Sequence, residues 1–154
     1  MLKEGDAAPD VTLQTPDGGE LRLSSLKGRS LVLYFYPKDD TPGYTREAQD
    51  FSALAGEFEQ AGVAVLGVSK DPPARHGKFI AKYDLRIPLA TDAEGAVTEA
   101  FGTWIEKSLY GRKYMGIDRA TFLIDKDGRI VRIWRKVKVP GHAEAVLAAA
   151  RELA

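Results

Sequence analysis

The sequence contains no cysteine among its 154 residues. That absence excludes disulfide bonds, cysteine-ligated zinc, iron–sulfur clusters and any mechanism that uses a thiolate of this chain. An excess of one charge is also missing, since 22 basic residues balance 22 acidic ones. No long-range field therefore attracts nucleic acid or an anionic membrane, and we expect neither among the partners.

Long apolar runs are missing as well. No stretch approaches the ~20 apolar residues of a membrane span, and the first residues, MLKEGDAAPDVTL, lack the apolar region of a signal peptide. We therefore expect a cytoplasmic protein. Neither G-x-G-x-x-G nor G-x-x-x-x-G-K-[ST] occurs, which argues against a nucleotide-phosphate site. The composition, 44% apolar and 29% charged, is ordinary for a globular protein, and we expect one domain over residues 1–154.

Apolar patterning predicts alternating strands and helices. Nearly continuous apolar runs at Ser30–Tyr36 and Val63–Ser69 predict strands buried on both faces, and Ile87–Ala90 is a shorter third candidate. The other predicted elements are an N-terminal hairpin at 11–14 and 20–23, helices at about 73–83, 94–101 and 141–153, and a late hairpin at Thr121–Asp125 and Arg129–Arg135. This order favours an α/β protein with a thioredoxin-like fold, in which helices flank a central mixed sheet.

The segment YFYPKDDTPGYTREAQDF, at 34–51, predicts a helix that begins just after Thr41. Thr41 is a good N-cap residue, and Pro42 suits the first helical position. Tyr44 then stands third in the helix, against the positive end of the helix dipole, where an anion is stabilised. The same pattern allows a plainer role, because an apolar stripe at helical spacing predicts packing against the sheet. Its members are Tyr44, Ala48, Phe51, Ala55 and Phe58.

This segment resembles the active-site segment of the peroxiredoxins, and within them the bacterioferritin comigratory protein (Q-type) subgroup. Other runs resemble the subgroup in the same order over nearly the whole chain: GDAAPDVTL, LKGRSLVLYFYP, GVSKD, YGRKYMGIDRATFLID and GHAEAVL. The resemblance implies the peroxiredoxin variant of the thioredoxin-like fold. It also implies the family reaction, which is thioredoxin-dependent reduction of hydrogen peroxide and organic hydroperoxides without a bound cofactor.

The resemblance can be carried over residue by residue. The family motif is Pro-x-x-x-Thr/Ser-x-x-Cys with a distant arginine; Pro37 and Thr41 match it, and Arg119 falls where the family arginine stands. The position of the peroxide-attacking cysteine is occupied by Tyr44. Many members carry a second, resolving cysteine five residues later, and that position is Gln49. Neither position holds sulfur.

Each supporting residue has an implied role and a plain structural alternative. The resemblance implies that Thr41 orients the peroxide, that Pro37 shields the reactive atom, and that Arg119 hydrogen-bonds the peroxide. The alternatives are that Thr41 caps the helix, that Pro37 ends the strand, and that Arg119 stacks on the Tyr44 ring or pairs with Glu47. Glu47 matches the acid of the family's C-T-x-E run and is a possible supporting residue, although an acid so near a helix N-terminus needs no function.

A phenol does not replace the missing sulfur. A thiolate attacks the O–O bond and becomes a sulfenic acid that can be reduced again. A phenol is a harder nucleophile and a bulkier group, and it has no comparable oxidised form that can be reduced back. We therefore predict that thiol peroxidase activity is absent. Two alternatives stay open: an altered form of an active thioredoxin-dependent peroxidase, which Tyr44→Cys would restore, and a non-enzymatic module that binds a small anion or another ligand at the helix N-terminus and Arg119. The partner would then be a small anion or an unknown protein, and we expect a monomer or a weak homodimer.

The remaining aromatic and histidine residues carry weak signals. We interpret Trp104 and the aromatics at 110–114 as core and loop packing. His76 lies in helical register with apolar neighbours, which favours a packed or solvated histidine over a ligand. His142 stands in the first turn of the last predicted helix. Two histidines so far apart, without acidic residues at ligand spacing, lead us to predict no metal.

Overall fold

A seven-stranded β-sheet lies at the centre of the structure, a computed structural model that describes residues 2–153. Its strands are β1 (Thr12–Gln14), β2 (Glu20–Arg22), β3 (Ser30–Phe35), β4 (Val63–Ser69), β5 (Leu89–Thr91), β8 (Ala120–Ile124) and β9 (Ile130–Trp134), and β6 (Trp104–Leu109) and β7 (Arg112–Ile117) form a separate hairpin. The order across the sheet is β2-β1-β5-β4-β3-β8-β9. Strands β3, β4 and β5 are parallel, and the outer pairings are antiparallel, so the sheet is mixed as predicted.

Helices cover both faces of this sheet. They are α1 (Pro42–Ala53), α2 (Ala55–Gln60), α3 (Pro73–Tyr83), α4 (Ala96–Ala100) and α5 (His142–Arg151), with a 3-10 turn at Leu23–Leu26. Alternate side chains of β3 point to opposite faces, as the period of a strand requires. Val32 and Tyr34 pack in a core with α1, α2, α3 and α5, whereas Leu33 and Phe35 pack in a second core with α4 and the N-terminal hairpin. The strand therefore has no polar face, which explains its continuous apolar sequence.

The predicted thioredoxin-like α/β fold is confirmed, with differences at element boundaries. The third predicted strand, Ile87–Ala90, lies at Leu89–Thr91, because Pro88 has no N–H for the ladder and supplies only its carbonyl, to the Gly67 N–H at 3.1 Å. The apolar stripe that begins at Tyr44 spans two helices rather than one. The backbone changes conformation at Leu54 (φ −96°, ψ 4°), where α1 ends and α2 begins.

The β6–β7 hairpin is not predicted from the sequence, and it corrects the interpretation of its aromatic residues. Tyr110 is 96% exposed and Tyr114 is 48% exposed, so the prediction that both are packed is wrong. The hairpin forms its own two-stranded sheet, and its tip therefore has little to pack against. Trp104 at its base is partly buried, as predicted, with the Lys70 ammonium 4.0 Å from its ring centroid.

The topology brings the polar residues that follow β3 and β4 to one edge of the sheet. Parallel strands end at the same edge, and in α/β sheets this carboxyl edge is where ligands bind. The loop between β3 and α1 and the loop between β4 and α3 meet there, joined by a hydrogen bond from the Asp39 N–H to the Asp71 carboxylate at 2.8 Å. Among residues 2–153, no helix has the length and apolar character needed to cross a membrane.

Candidate active site

Helix α1 begins at this edge, one residue after Thr41, as the sequence predicts. Pro37 lies half-buried directly after Tyr36 and leads the chain away from the sheet. Thr41 is the N-cap residue, with an extended backbone (φ −106°, ψ 150°), and Pro42 takes the first helical position. The Thr41 hydroxyl donates to the Lys38 carbonyl at 3.3 Å. Within the described residues it makes no capping bond to α1, so the predicted side-chain cap is wrong, and Thr41 begins the helix through its backbone alone.

Tyr44 stands third in α1, with its half-buried ring between two neighbours. The Tyr36 ring lies on one side, at 6.5 Å between centroids and an interplanar angle of 42°. The Arg119 guanidinium lies over the ring face, with Cζ 4.5 Å from the centroid. This distance suits a cation–π contact, because the negative face of the ring quadrupole attracts the cation. The loop before β8 thus brings Arg119, which is remote in sequence, onto the first turn of α1.

Arg119 also reaches Glu47, one turn further along α1. The distance from Arg119 Nη2 to Glu47 Oε1 is 3.7 Å, and the two side chains are 21% and 2% exposed. The sequence offered ring stacking and carboxylate pairing as alternatives for Arg119, and the structure contains both contacts at once. Burial raises the pKa of Glu47 to about 7, because removal of water disfavours the charged form more than the nearby Arg119 charge favours it.

The polar atoms of this pair are poorly satisfied. Among the atoms of residues 2–153, Glu47 Oε1, Arg119 Nε and Arg119 Nη2 are buried without a hydrogen-bond partner. At 3.7 Å the ion pair is too long for a hydrogen bond, so it provides charge attraction only. The Tyr34 hydroxyl is also buried without a partner among the described residues, and burial, assisted by the charge of Glu47, raises the pKa of its phenol. Nearly all buried polar groups in proteins have a hydrogen-bond partner, so these atoms mark the surroundings of Arg119 as a candidate functional site.

Gln49 does not belong to this site. Five residues on an α-helix turn its direction by about 140° from Tyr44, and Gln49 is exposed. The side chain at the position of the family's second cysteine therefore faces solvent.

His142 lies behind the site, at the first position of α5. Its Nε2 is 2.8 Å from the Thr121 hydroxyl, and its ring meets Phe51 and Trp134 edge-on, at 5.9 Å between centroids in each case. Burial, assisted by the positive charge of Arg119, lowers the pKa of His142 to about 4. This histidine is therefore neutral around pH 7 and is part of the packing.

A second polar cluster at the same edge was missed in the sequence. Asp39 and His76 are completely buried, and a carboxylate oxygen of Asp39 lies 2.7 Å from His76 Nδ1. Asp71 belongs to the same cluster. His76 is thus packed, as predicted, but it packs against polar groups. The signal in the sequence was a pair of aspartates in the loops that follow two buried parallel strands.

The fold and the residues at the start of α1 together define a peroxiredoxin-type protein. The chain belongs to the AhpC/TSA family, whose model matches residues 4–133. Its relatives include peroxiredoxin Bcp of Xanthomonas campestris, 47% identical over 149 residues, which cover 97% of this chain and 93% of that protein. Peroxiredoxin Bcp of Bacillus subtilis is 45% identical over 152 residues, which cover 99% of this chain and 97% of that protein.

Solved structures agree with this assignment. The bacterioferritin comigratory protein of X. campestris, described for its alkyl peroxide reduction activity, superposes with a TM-score of 0.91 at 45% identity and covers 99% of this chain and 97% of its own. A cysteine-to-serine mutant of peroxiredoxin Q from Xylella fastidiosa superposes with a TM-score of 0.93 at 40% identity, covering 99% and 97%. The family and subgroup suggested by the sequence are therefore confirmed, and this chain differs from the family motif in having no cysteine.

Proposed function

We propose that this chain is a peroxiredoxin-type protein that has lost thioredoxin-dependent hydroperoxide reduction and keeps the scaffold for binding or regulation. The observation that carries the proposal is Tyr44, a phenol at the third position of α1, where the family motif has its cysteine. The family reaction needs a sulfur that accepts oxygen from the peroxide and returns to the thiol. The chain has sulfur only in Met1 and Met115, and methionine sulfoxide needs a dedicated reductase to return.

The contacts of Tyr44 support the loss of activity on steric grounds. Arg119 would have to present N–H groups to a peroxide oxygen, but its guanidinium lies over the Tyr44 ring face. The Tyr44 ring also lies 6.5 Å from the Tyr36 ring between centroids, so the phenol fills space beside Arg119 that a cysteine side chain would leave open. Tyr44 thus removes the nucleophile and also occupies space beside its supporting cation.

A coupled assay tests this proposal. Hydrogen peroxide and an alkyl hydroperoxide are supplied together with thioredoxin, thioredoxin reductase and NADPH, and NADPH oxidation is followed. We expect the wild-type rate to equal the rate without protein. Sustained turnover that rises in proportion to wild-type protein would refute the loss of activity.

A second candidate is an altered peroxidase whose site is otherwise preserved. It is supported by Pro37, Thr41 and Arg119, which match the family motif in the sequence, and by the contact between Arg119 and the Tyr44 ring. A thiolate there would gain from the helix N-terminus and from the Arg119 charge. We expect Tyr44→Cys to gain hydroperoxide turnover in the coupled assay, whereas the matched Tyr44→Ser variant stays at the background rate. A folded Tyr44→Cys protein without turnover would contradict this candidate and leave the first one intact.

A third candidate is a binding site for a small anion. It is supported by the buried Arg119 N–H groups without an acceptor in the described part of the chain. Sulfate, phosphate and short carboxylates would raise the melting temperature of the wild-type protein, and Arg119→Met would abolish the increase. An equal increase in the variant would place the anion elsewhere.

A further inference from the structure

The β6–β7 hairpin carries every large apolar side chain that is exposed among residues 2–153. These side chains are Leu109, Tyr110, Tyr114 and Met115, and their exposed fractions range from 48% to 96%. Single exposed apolar residues are ordinary on a protein surface, whereas a cluster on one element indicates a surface that binds a partner. The hairpin is therefore the part of the described chain that we expect to make such a contact.

The turn at the tip of the hairpin supports the same interpretation. Tyr110 and Gly111 form its two-residue loop, and both have a positive φ, 52° and 78° respectively. A loop of this kind favours asparagine or glycine, because a bulky side chain is disfavoured at positive φ. Tyr110 adopts this conformation although it is 96% exposed, so packing within one chain does not explain a tyrosine there.

Strand β7 presents an open edge beside this turn. It pairs with β6 on one side, and no backbone hydrogen bond from elsewhere in residues 2–153 reaches residues 112–116. The side chains at 112–115 are exposed at four successive positions, so both faces of the strand are accessible. Unpaired N–H and C=O groups along such an edge are a template for pairing with another strand.

The turn also determines which backbone groups of β7 point outward. Leu109 and Arg112 close the two-residue loop, so they form a hydrogen-bonded pair, and hydrogen-bonded and non-hydrogen-bonded pairs alternate along the hairpin. Tyr114 therefore bonds to β6 through its backbone, whereas the N–H and C=O groups of Lys113 and Met115 point away from β6. An added strand would bond to Lys113 and Met115.

We propose that β7 pairs antiparallel with β7 of a second copy of this chain, in a four-stranded sheet that is symmetric about Tyr114. Tyr114 then lies opposite Tyr114 of the second copy, and Lys113 lies opposite Met115, which satisfies their outward backbone groups in both chains. The exposed rings and the methionine would be covered, and Tyr110 would extend toward the base of the other hairpin. This inference does not depend on the function proposed for the candidate active site.

Charge and burial select this register among the symmetric alternatives. A centre at Arg112 or at Lys113 would place two like charges directly opposite each other, which is destabilising. A centre at Met115 would place Ile117 opposite Lys113, but Ile117 is 3% exposed and lies in the core beneath the hairpin. Tyr114 is the centre that uses exposed residues and opposes no like charges.

The cations of β7 fit the proposed register. Arg112 lies opposite Gly116, which has no side chain, and Lys113 lies opposite the apolar side chain of Met115. Lys113 Nζ is also 3.7 Å from Glu106 Oε1 of its own chain, so its charge is partly balanced. Charged residues on an edge strand ordinarily oppose pairing. Here they oppose the wrong registers and leave one.

Association of the wild-type protein is the first test. Five residues of each chain form an interface smaller than the ~1,200–2,000 Å² of stable complexes, so we expect a Kd of about 0.1–1 mM by sedimentation equilibrium. Met115→Pro removes an outward N–H and leaves the bonds to β6, so it should abolish the dimer. The matched Ser108→Pro variant changes the outer edge of β6 and should dimerise as the wild type does.

Disulfide formation tests the register, because the chain contains no cysteine of its own. Tyr114→Cys should form a covalent dimer on mild oxidation, since the Cα atoms of a non-hydrogen-bonded pair lie about 4.5 Å apart. Lys113→Cys alone and Met115→Cys alone should not, because each position would lie more than about 7 Å from its own copy. A mixture of these two variants should form the covalent heterodimer.

Two results would overturn the proposal. The first is a wild-type protein that stays monomeric at about 1 mM, which would leave the hairpin to a different protein. The second is equal disulfide formation by the three single-cysteine variants, which would show random collision. If Met115→Pro does not fold, the wild-type sedimentation and the cysteine variants still decide.

Discussion

Replacement of Glu47 by glutamine isolates the effect of one buried proton in the candidate active site. Glu47 is 2% exposed, and burial raises its pKa from an ordinary 4.5 to about 7. A folded-state pKa above the unfolded value means that the folded protein binds this proton more tightly. The resulting stability is fully present below about pH 4.5 and is lost as the pH rises through about 7. Glutamine has a similar shape and does not titrate, so Glu47→Gln avoids this loss.

The size of the effect follows from the two pKa values. The difference between 4.5 and about 7 corresponds to about 3 kcal/mol, since one pKa unit is worth about 1.4 kcal/mol. We expect the unfolding free energy of Glu47→Gln to be close to the wild-type value at pH 4.5 and higher by up to about 3 kcal/mol at pH 8. In a chain of 154 residues this difference is roughly 6–12 °C in melting temperature. Urea unfolding followed by tryptophan fluorescence at pH 4.5, 6 and 8 measures it.

A surface glutamate provides the control. Glu57 on α2 is exposed and lies 3.7 Å from Arg151, so Glu57→Gln should shift stability slightly and by nearly the same amount at each pH. Other titrating groups are common to the compared proteins and cancel. If Glu47→Gln is less stable than the wild type at pH 8, the attraction between Glu47 and Arg119 outweighs the loss of hydration, and the reasoning about burial is refuted.

Two more predictions use the same unfolding assays. Gly67→Ala should lower the free energy of unfolding by about 1–3 kcal/mol, because the added Cβ would lie 2.6 Å from Cζ of the buried Tyr34 ring. Gly56→Ala on α2, where a Cβ would have nothing within 4 Å, should raise it by about 0.5–1 kcal/mol. Equal effects of the two substitutions would contradict the close approach at Gly67. The pKa of His142 is lowered to about 4, so the contribution of His142 to wild-type stability should fall as the pH drops from 6.5 towards 4. His142→Gln should reduce that fall, and an unchanged slope would contradict it.

The elements of the fold that could be predicted are those in which the apolar residues follow one regular pattern along the sequence. Strands β3 and β4 are apolar at nearly every position because both faces are covered, and α3 begins and ends where it was predicted. The β6–β7 hairpin gives no such signal. Its segments WIEKSL and RKYMGI mix charged and apolar residues, and most of their side chains are partly or fully exposed. The two strands of this hairpin pair only with each other and contribute little to the core, so their sequence needs no regular pattern of apolar residues.

The candidate site was predictable where a local motif or a family resemblance named its residues. The positions of Thr41, Pro42 and Tyr44 follow from helix capping preferences, and the resemblance supplied Arg119. The contact between Asp39 and His76 could not be predicted, because it depends on how the loops after two parallel strands meet. The burial of Glu47 and its raised pKa could not be predicted either, since a glutamate on a helix is ordinarily solvated and its burial here depends on the tertiary packing.

Tyrosine at position 44 suits the charges that surround it. Without a thiolate, Arg119 retains its positive charge, and Glu47 gives only partial compensation because burial favours its protonated form. A serine or alanine at position 44 would leave the guanidinium without a neighbour on that side. The Tyr44 ring face lies 4.5 Å from the guanidinium carbon, a contact worth about 0.5–2 kcal/mol. The aromatic ring therefore stabilises the Arg119 cation in the absence of a thiolate, which agrees with the proposed loss of the peroxidase reaction.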